Sequence, residues 1–253
     1  VVPGVYQVRE HIKMFSEEII SGKKKGFTGK AFTDVVNIGI GGSDLGPVMV
    51  TEALEYYKNH LRVHFVSNVD GDHVHEVLKR IDPETTLFVV VSKSFTTQET
   101  LSNALTIKRW FLQYASPEDV AHHFVAVSTN LEKIKEFGIA DENVFPMWDW
   151  VGGRTSVTSA VGLLPALLQG IDIDAFLEGA RIMDGHTRNP DIRKNPAAML
   201  ALMWHHAGSG RGDRAMVVLP YRDRLDYLAR YLQQLVMESL GKEKDLMGKM
   251  VEQ

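Results

Sequence analysis

The chain has 253 residues, 44% apolar and 24% charged, the balance of an ordinary globular protein, which excludes intrinsic disorder and fibrous structure. A net charge of -4, with no like-charge run longer than Lys23, Lys24 and Lys25, argues against a stripe for nucleic acid or a membrane surface. Without cysteine there is no disulfide framework, no thiolate metal site and no Cys nucleophile, which suits a reducing compartment.

Apolar runs such as residues 87–91 are too short to span a bilayer, and no signal-peptide pattern opens the chain. The first residue is Val1 and the end at Gln253 carries no terminal punctuation, so the chain reads as a piece of a longer protein with one or two domains.

After a helical lead-in over residues 1–30, short β-branched runs alternate with amphipathic stretches. Strands are predicted at 35–40, 63–66, 87–91 and 124–127, with a short closing strand at 143–145. Helices are predicted at 47–58, 73–81, 97–114 and 131–137. This alternation implies an α/β fold, a doubly wound parallel sheet joined by right-handed crossovers over residues 31–155. Residues 156–208 read as a helical connection of three segments, broken at Gly170-Ile171-Asp172 and Asn189-Pro190, with Pro196 at a first helical position. Residues 209–253 read as the incomplete beginning of a second α/β domain: a strand at 215–220, which needs a partner, then a helix over 224–240.

Four constellations could carry chemistry. Residues 39–47 run Gly-Ile-Gly-Gly-Ser-Asp-Leu-Gly-Pro where a strand gives way to a helix, so backbone amides can approach an anion at the helix start. Asp44 occupies the third glycine's place in a dinucleotide fingerprint and Pro47 follows where a Walker loop needs Lys, leaving a phosphate-type loop or a tight turn of packing glycines. Residues 92–100 run Ser-Lys-Ser-Phe-Thr-Thr-Gln-Glu-Thr at another strand-to-helix junction; an N-cap at Thr97 is the plain explanation, and a cradle for a phosphate monoester the functional one. Both loops lie at the carboxyl ends of strands, where doubly wound sheets bind ligands.

The third constellation is residues 149–156, where Gly152 and Gly153 expose backbone and Arg154 offers a planar fork for an oxyanion, or else is a surface arginine in a turn. The fourth is Gln234 and Glu238, on one helical face by their i, i+4 spacing. With Tyr227, Tyr231 and Leu235 nearby, a partly desolvated Glu238 could act as a general base, against the alternative of a solvated surface glutamate. Asp70, Asp72, His73 and His75 crowd one loop but leave a metal's geometry unspecified, so no metal is assigned. The pairs His122-His123 and His205-His206 are expected to form no site, and Tyr227, Leu228, Tyr231 and Leu232 read as core.

These residues resemble the glucose-6-phosphate isomerase (phosphoglucose isomerase) family. The likeness rests on residues 36–47, 92–100, 149–154 and the run Gln233-Gln234-Leu235-Val236-Met237-Glu238-Ser239, and spans nearly the whole chain. It implies a sugar-isomerase, flavodoxin-like fold and an aldose–ketose isomerase that interconverts glucose 6-phosphate and fructose 6-phosphate in glycolysis and gluconeogenesis. It also implies a cytoplasmic homodimer without cofactor or metal. By motif, Ser92, Lys93 through its backbone, Ser94 and Thr97 hold the phosphate. Gly42, Ser43 and Gly153 line the sugar, Arg154 stabilises the enediolate, and Glu238 is the base with Gln234 beside it. Leu240 stands where many members have Asn, and Ser94 where Thr is common. The family's ring-opening histidine and an active-site lysine belong to a later stretch, so none of the ten histidines is assigned and the 253 residues alone are expected to be weak or inactive. Two other readings stay open: a non-catalytic sugar-phosphate-binding regulator of the same fold, which would not need Glu238, and an isomerase of another hexose phosphate.

Overall fold

A computed structural model describes residues 2–210 and 214–251. Strands β1 (Asp34–Ile38), β2 (Arg62–Val66), β3 (Thr86–Val91), β4 (Phe124–Ser128) and β5 (Val144–Pro146) pair in parallel in the order β2-β1-β3-β4-β5. Asn37 of β1 is in register with Phe65 on one side and Val89 on the other. The chain leaves β1 toward one edge and returns past it to β3, so the direction of winding switches between these two strands.

Every residue of β1, β3 and β4 is buried, which is why these strands read as continuous apolar runs. Alternate side chains point to opposite faces. Val35, Leu87, Val89, Val125 and Val127 meet α1 (Val2–Ile20), α2 (Gly42–Ala53) and α7 (Ala160–Leu168). Val36, Phe88, Val90, Phe124 and Ala126 meet α3 (Gly71–Leu78), α4 (Gln98–Phe111), α5 (Val120–His123) and α6 (Leu131–Phe137). On that second face Phe88 and Phe124 stack at 4.8 Å, with Phe111 edge-on to Phe124 at 5.6 Å.

Two polar groups are built into this core. The ring of His123 is fully buried: Nδ1 lies 2.7 Å from Thr86 O, which can only accept, so Nε2 is left to accept from the Phe27 amide at 3.0 Å. That fixes one neutral tautomer, and burial holds its pKa below the ordinary value. At the amino ends of the strands, Asp34 is buried and accepts from Arg62 Nη2 (2.7 Å), His64 Nε2 (2.8 Å) and Thr33 Oγ1 (2.8 Å). Burial alone would raise its pKa, but the bonds from His64, Arg62 and Thr33 outweigh it and hold the carboxyl below its usual range.

The remaining helices are α8 (Ile173–Thr187), α9 (Pro196–Ala207) and α10 (Asp226–Leu240), so the breaks near residue 171 and residue 190 and the first-turn Pro196 stand where the sequence places them. Three expectations are corrected. Residues 215–220 form no strand, because no described strand runs beside them to accept their backbone bonds. Helix α2 starts at Gly42, five residues before Pro47, so this proline lies inside the helix. Tyr227, Leu228, Tyr231 and Leu232 are half-buried rather than core, since α10 packs only one side against α2 and the 153–158 turn. No helix among the described residues is long and apolar enough to cross a membrane.

Candidate active site at the switch point

The glycine-rich loop leaves β1 at the switch point. Gly41 has a φ of 60°, which opens the turn without Cβ strain, and the amides of Ser43, Asp44 and Leu45 bond back to Ile40 and Gly41 carbonyls. The amides of Gly41 and Gly42 find no protein acceptor among the described residues. Packing and ligand approach coexist in this loop. A Cβ on Gly42 would lie 2.1 Å from the carbonyl carbon and oxygen of Gly153, so these two backbones touch only because the first carries no side chain. Ser156 Oγ clamps the junction, donating to Gly153 O at 2.7 Å and Gly42 O at 3.3 Å.

The second loop leaves β3 on the other side of the switch point. Thr97 is the N-cap residue of α4, yet its side chain makes no capping bond; its Oγ1 takes one from Ser92 at 3.4 Å. The capping explanation for this hydroxyl therefore fails. Ser94 and Thr96 hydroxyls meet at 2.5 Å on the exposed side, while Lys93 O is held by Thr129 N, Thr129 Oγ1 and Ser128 Oγ. The amides of Lys93, Ser94, Thr96 and Thr97 have no protein acceptor among the described residues. Between them Phe95 adopts a φ of 52° with its ring buried edge-on against Phe137.

Lys93 turns its side chain away from this loop and donates from Nζ to Asp149 O (2.6 Å) and Val151 O (3.2 Å), tying the hydroxyl loop to the turn that carries Arg154. Arg154 donates from Nε to Ser239 Oγ at 2.8 Å and reaches Glu238 Oε2 with Nη1 at 3.6 Å. Gln234 Nε2 donates to Glu238 Oε1 at 2.9 Å and stands 3.3 Å from where a Gly41 Cβ would be. Gln234 Oε1 is buried and unpartnered among the described residues. The third and fourth constellations and the glycine loop thus form one cluster, to which Lys93 links the second. No side-chain hydrogen bond joins Ser92, Ser94 or Thr97 to Glu238 among the described residues.

The desolvation expected for Glu238 is not met. Its side chain is 49% exposed, because no described element covers the outer side of α10, and its orientation comes from Arg154 and Gln234 instead. The carboxyl that burial does perturb is Asp44, in the first turn of α2, pushed up to about 6 by burial and opposed by a hydrogen bond from Ser67. Sequence reading missed it, along with Ser156 and the Lys93 ammonium, because each depends on a partner distant along the chain. Asp70 serves as N-cap of α3, accepting from the Asp72 and His73 amides, and no three His, Asp or Glu side chains converge as a metal set among the described residues.

The phosphoglucose isomerase family model matches residues 1–253. The chain is 56% identical over its whole length to a glucose-6-phosphate isomerase of Christiangramia forsetii, of which it covers 47%. Its structure superposes on a glucose-6-phosphate isomerase of Chlamydia trachomatis with a TM-score of 0.83 and 35% identity, over 98% of this chain and 47% of that one. A hypothetical protein of Thermus thermophilus gives 0.78 and 28% over 97% of this chain and 55% of its own. The chain spans about half the length of these relatives. With the sheet order and both loops in place, it belongs to the phosphoglucose isomerase family.

Proposed function

We propose that the protein interconverts glucose 6-phosphate and fructose 6-phosphate through an enediolate. The observation that carries this reading is the cluster in which Gln234 and Arg154 each hold one oxygen of Glu238 beside the open amides of the glycine loop. The free amides of Lys93, Ser94 and Thr97, with the Ser92, Ser94 and Thr97 hydroxyls, bind the phosphate and supply the remote binding energy that orients the sugar. Gly42, Ser43 and Gly153 line the sugar, and Gln234 Oε1 offers a substrate hydroxyl its acceptor. Glu238 takes the C2 proton of the open-chain aldose as the carbonyl electrons move onto O1. Arg154 stabilises that oxyanion, and as the hydroxyl proton of O2 passes to O1, the proton held by Glu238 returns to C1, which leaves the ketone at C2 and a hydroxyl at O1. No electron leaves the substrate, so the step calls for no redox cofactor. We assign no histidine to ring opening.

The protein is further proposed to act as a cytoplasmic homodimer, with residues 1–30 as lead-in, 31–155 as its first sugar-isomerase domain, 156–208 as connection and 209–253 opening a second. In the full-length protein, Glu238→Gln should lower kcat by about 10²- to 10⁴-fold while fructose 6-phosphate still binds. Unchanged turnover would remove Glu238 as the base. Thermal stabilisation by fructose 6-phosphate, beyond that by fructose or inorganic phosphate, should vanish in a Ser94→Ala, Thr97→Val double variant. If the shift persists, the phosphate lies elsewhere.

A further inference from the structure

Pro47 is the sixth residue of α2 and has no amide hydrogen, so the helical bond from residue 47 to the carbonyl of residue 43 cannot form. The ring also pushes that carbonyl outward. The freed group is Ser43 O, at the point where the glycine loop becomes helix. Asn37 fills the gap: it is fully buried on β1, and its Nδ2 lies 3.3 Å from Ser43 O. Its Oδ1 is buried and has no partner among the described residues. A buried amide satisfied on one side only is unfavourable in a strand otherwise built from Val35, Val36 and Ile38. The side chain is therefore explained by its donor, and the donor by the proline.

The packing around this bond makes it directional. A Cβ on Gly39 would meet Ser43 Cβ and O at 2.8 Å, so the strand end and the first turn of α2 already touch at their closest approach. Asn37 anchors that turn to the sheet through Ser43 O, next in the chain to the Gly41 and Gly42 amides, which have no protein acceptor among the described residues.

We propose that Asn37 is a positioning residue that replaces the hydrogen bond removed by Pro47, and so sets where Gly42 and Ser43 meet the sugar. The proposal rests on the sugar-site reading of Gly42 and Ser43. Asn37→Leu in the full-length protein should change its melting temperature little, since losing the unpartnered Oδ1 offsets the Ser43 carbonyl left without its donor, yet raise the KM for fructose 6-phosphate about tenfold, the scale of one hydrogen bond left unmade. Adding Pro47→Ala gives Ser43 O its helical donor back, so the Asn37→Leu, Pro47→Ala double variant should return KM to within about twofold of the Pro47→Ala single variant, the residue that non-additive neighbours leave. Where leucine does not fit, Asn37→Ala serves in the same cycle. A KM unmoved by Asn37→Leu, or an equal loss with and without Pro47, overturns the proposal. If the wild-type protein itself neither binds nor turns over fructose 6-phosphate, the site reading fails and the proposal with it. A wild type that works beside an indifferent Asn37 variant overturns only the positioning role.

Discussion

Replacing Gly42 by alanine sets two effects of opposite sign against each other. Helix propensity favours alanine by about 1 kcal/mol, and Gly42 is the first residue of α2. Against this, the new Cβ would lie 2.1 Å from Gly153 C and O and 2.7 Å from its Cα, whereas ordinary contact begins at 3.4 Å. These are backbone atoms, so the two turns must part by about 1 Å, a forced overpacking that costs about 1–3 kcal/mol. The movement also weakens the bond from Ser156 to Gly42 O, adding about 1 kcal/mol. The clash wins, and at about 2–4 °C per kcal/mol for a chain of this size the melting temperature should fall by about 3–10 °C. Gly71→Ala is the matched control. It too opens a helix, but its Cβ meets nothing within 4 Å, so propensity acts unopposed and the melting temperature should hold or rise slightly. Calorimetric melts of wild type and both variants at one pH test this, with a fructose 6-phosphate titration alongside. A Gly42→Ala variant as stable as Gly71→Ala would refute the claim that these turns are held at backbone contact.

Acid should act through His123, whose folded pKa lies below its unfolded value of 6.5. The unfolded chain then binds the proton more readily, so this contribution is complete above 6.5 and is lost as pH falls below it. His123→Phe should be less stable at pH 8, by about 2–4 kcal/mol for the unpaired Thr86 carbonyl and Phe27 amide, but flatter between pH 7.5 and 5.5; parallel profiles would contradict the assignment. Asp44 works in the opposite sense: raised from 3.8 to about 6, its contribution is complete below 3.8 and lost as pH rises through 6. The stability of Asp44→Asn relative to wild type should therefore grow by about 2–3 kcal/mol between pH 4 and 7, and a constant difference would show that burial does not perturb this carboxyl. Lys93→Met keeps the aliphatic stem and loses both carbonyl contacts, so it should lower stability by about 1 kcal/mol and weaken fructose 6-phosphate binding several-fold. Unchanged binding would mean that the two loops hold their places without the ammonium.

The buried strands were legible because parallel strands covered on both faces must be apolar throughout, and both ligand-type loops because glycines and hydroxyls at strand ends have local signatures. What escaped depends on partners distant in sequence. The start of α2 was misplaced because Pro47 resembles a helix opening, and the donor that reaches the carbonyl it leaves without a helical bond comes from Asn37, on the preceding strand. Residues 215–220 have a strand's composition, but a strand exists only where another backbone lies beside it. The setting of Glu238 was misjudged for a similar reason: periodicity identifies the face of α10 that carries it, not what covers that face.

Phe95 gives the hydroxyl loop an unusual foundation. A left-handed backbone at a bulky residue costs free energy, and here a ring sunk beside Phe137 compensates, so a polar surface segment takes its shape from the apolar interior beneath it. Such a segment is already in shape when a ligand arrives, and association loses little entropy in arranging it. Its order also rises and falls with that interior. Hydrogen exchange at the Phe95 amide, bonded to Ser92 O at 3.2 Å, should track the opening of the α4 and α6 layer and not surface fraying.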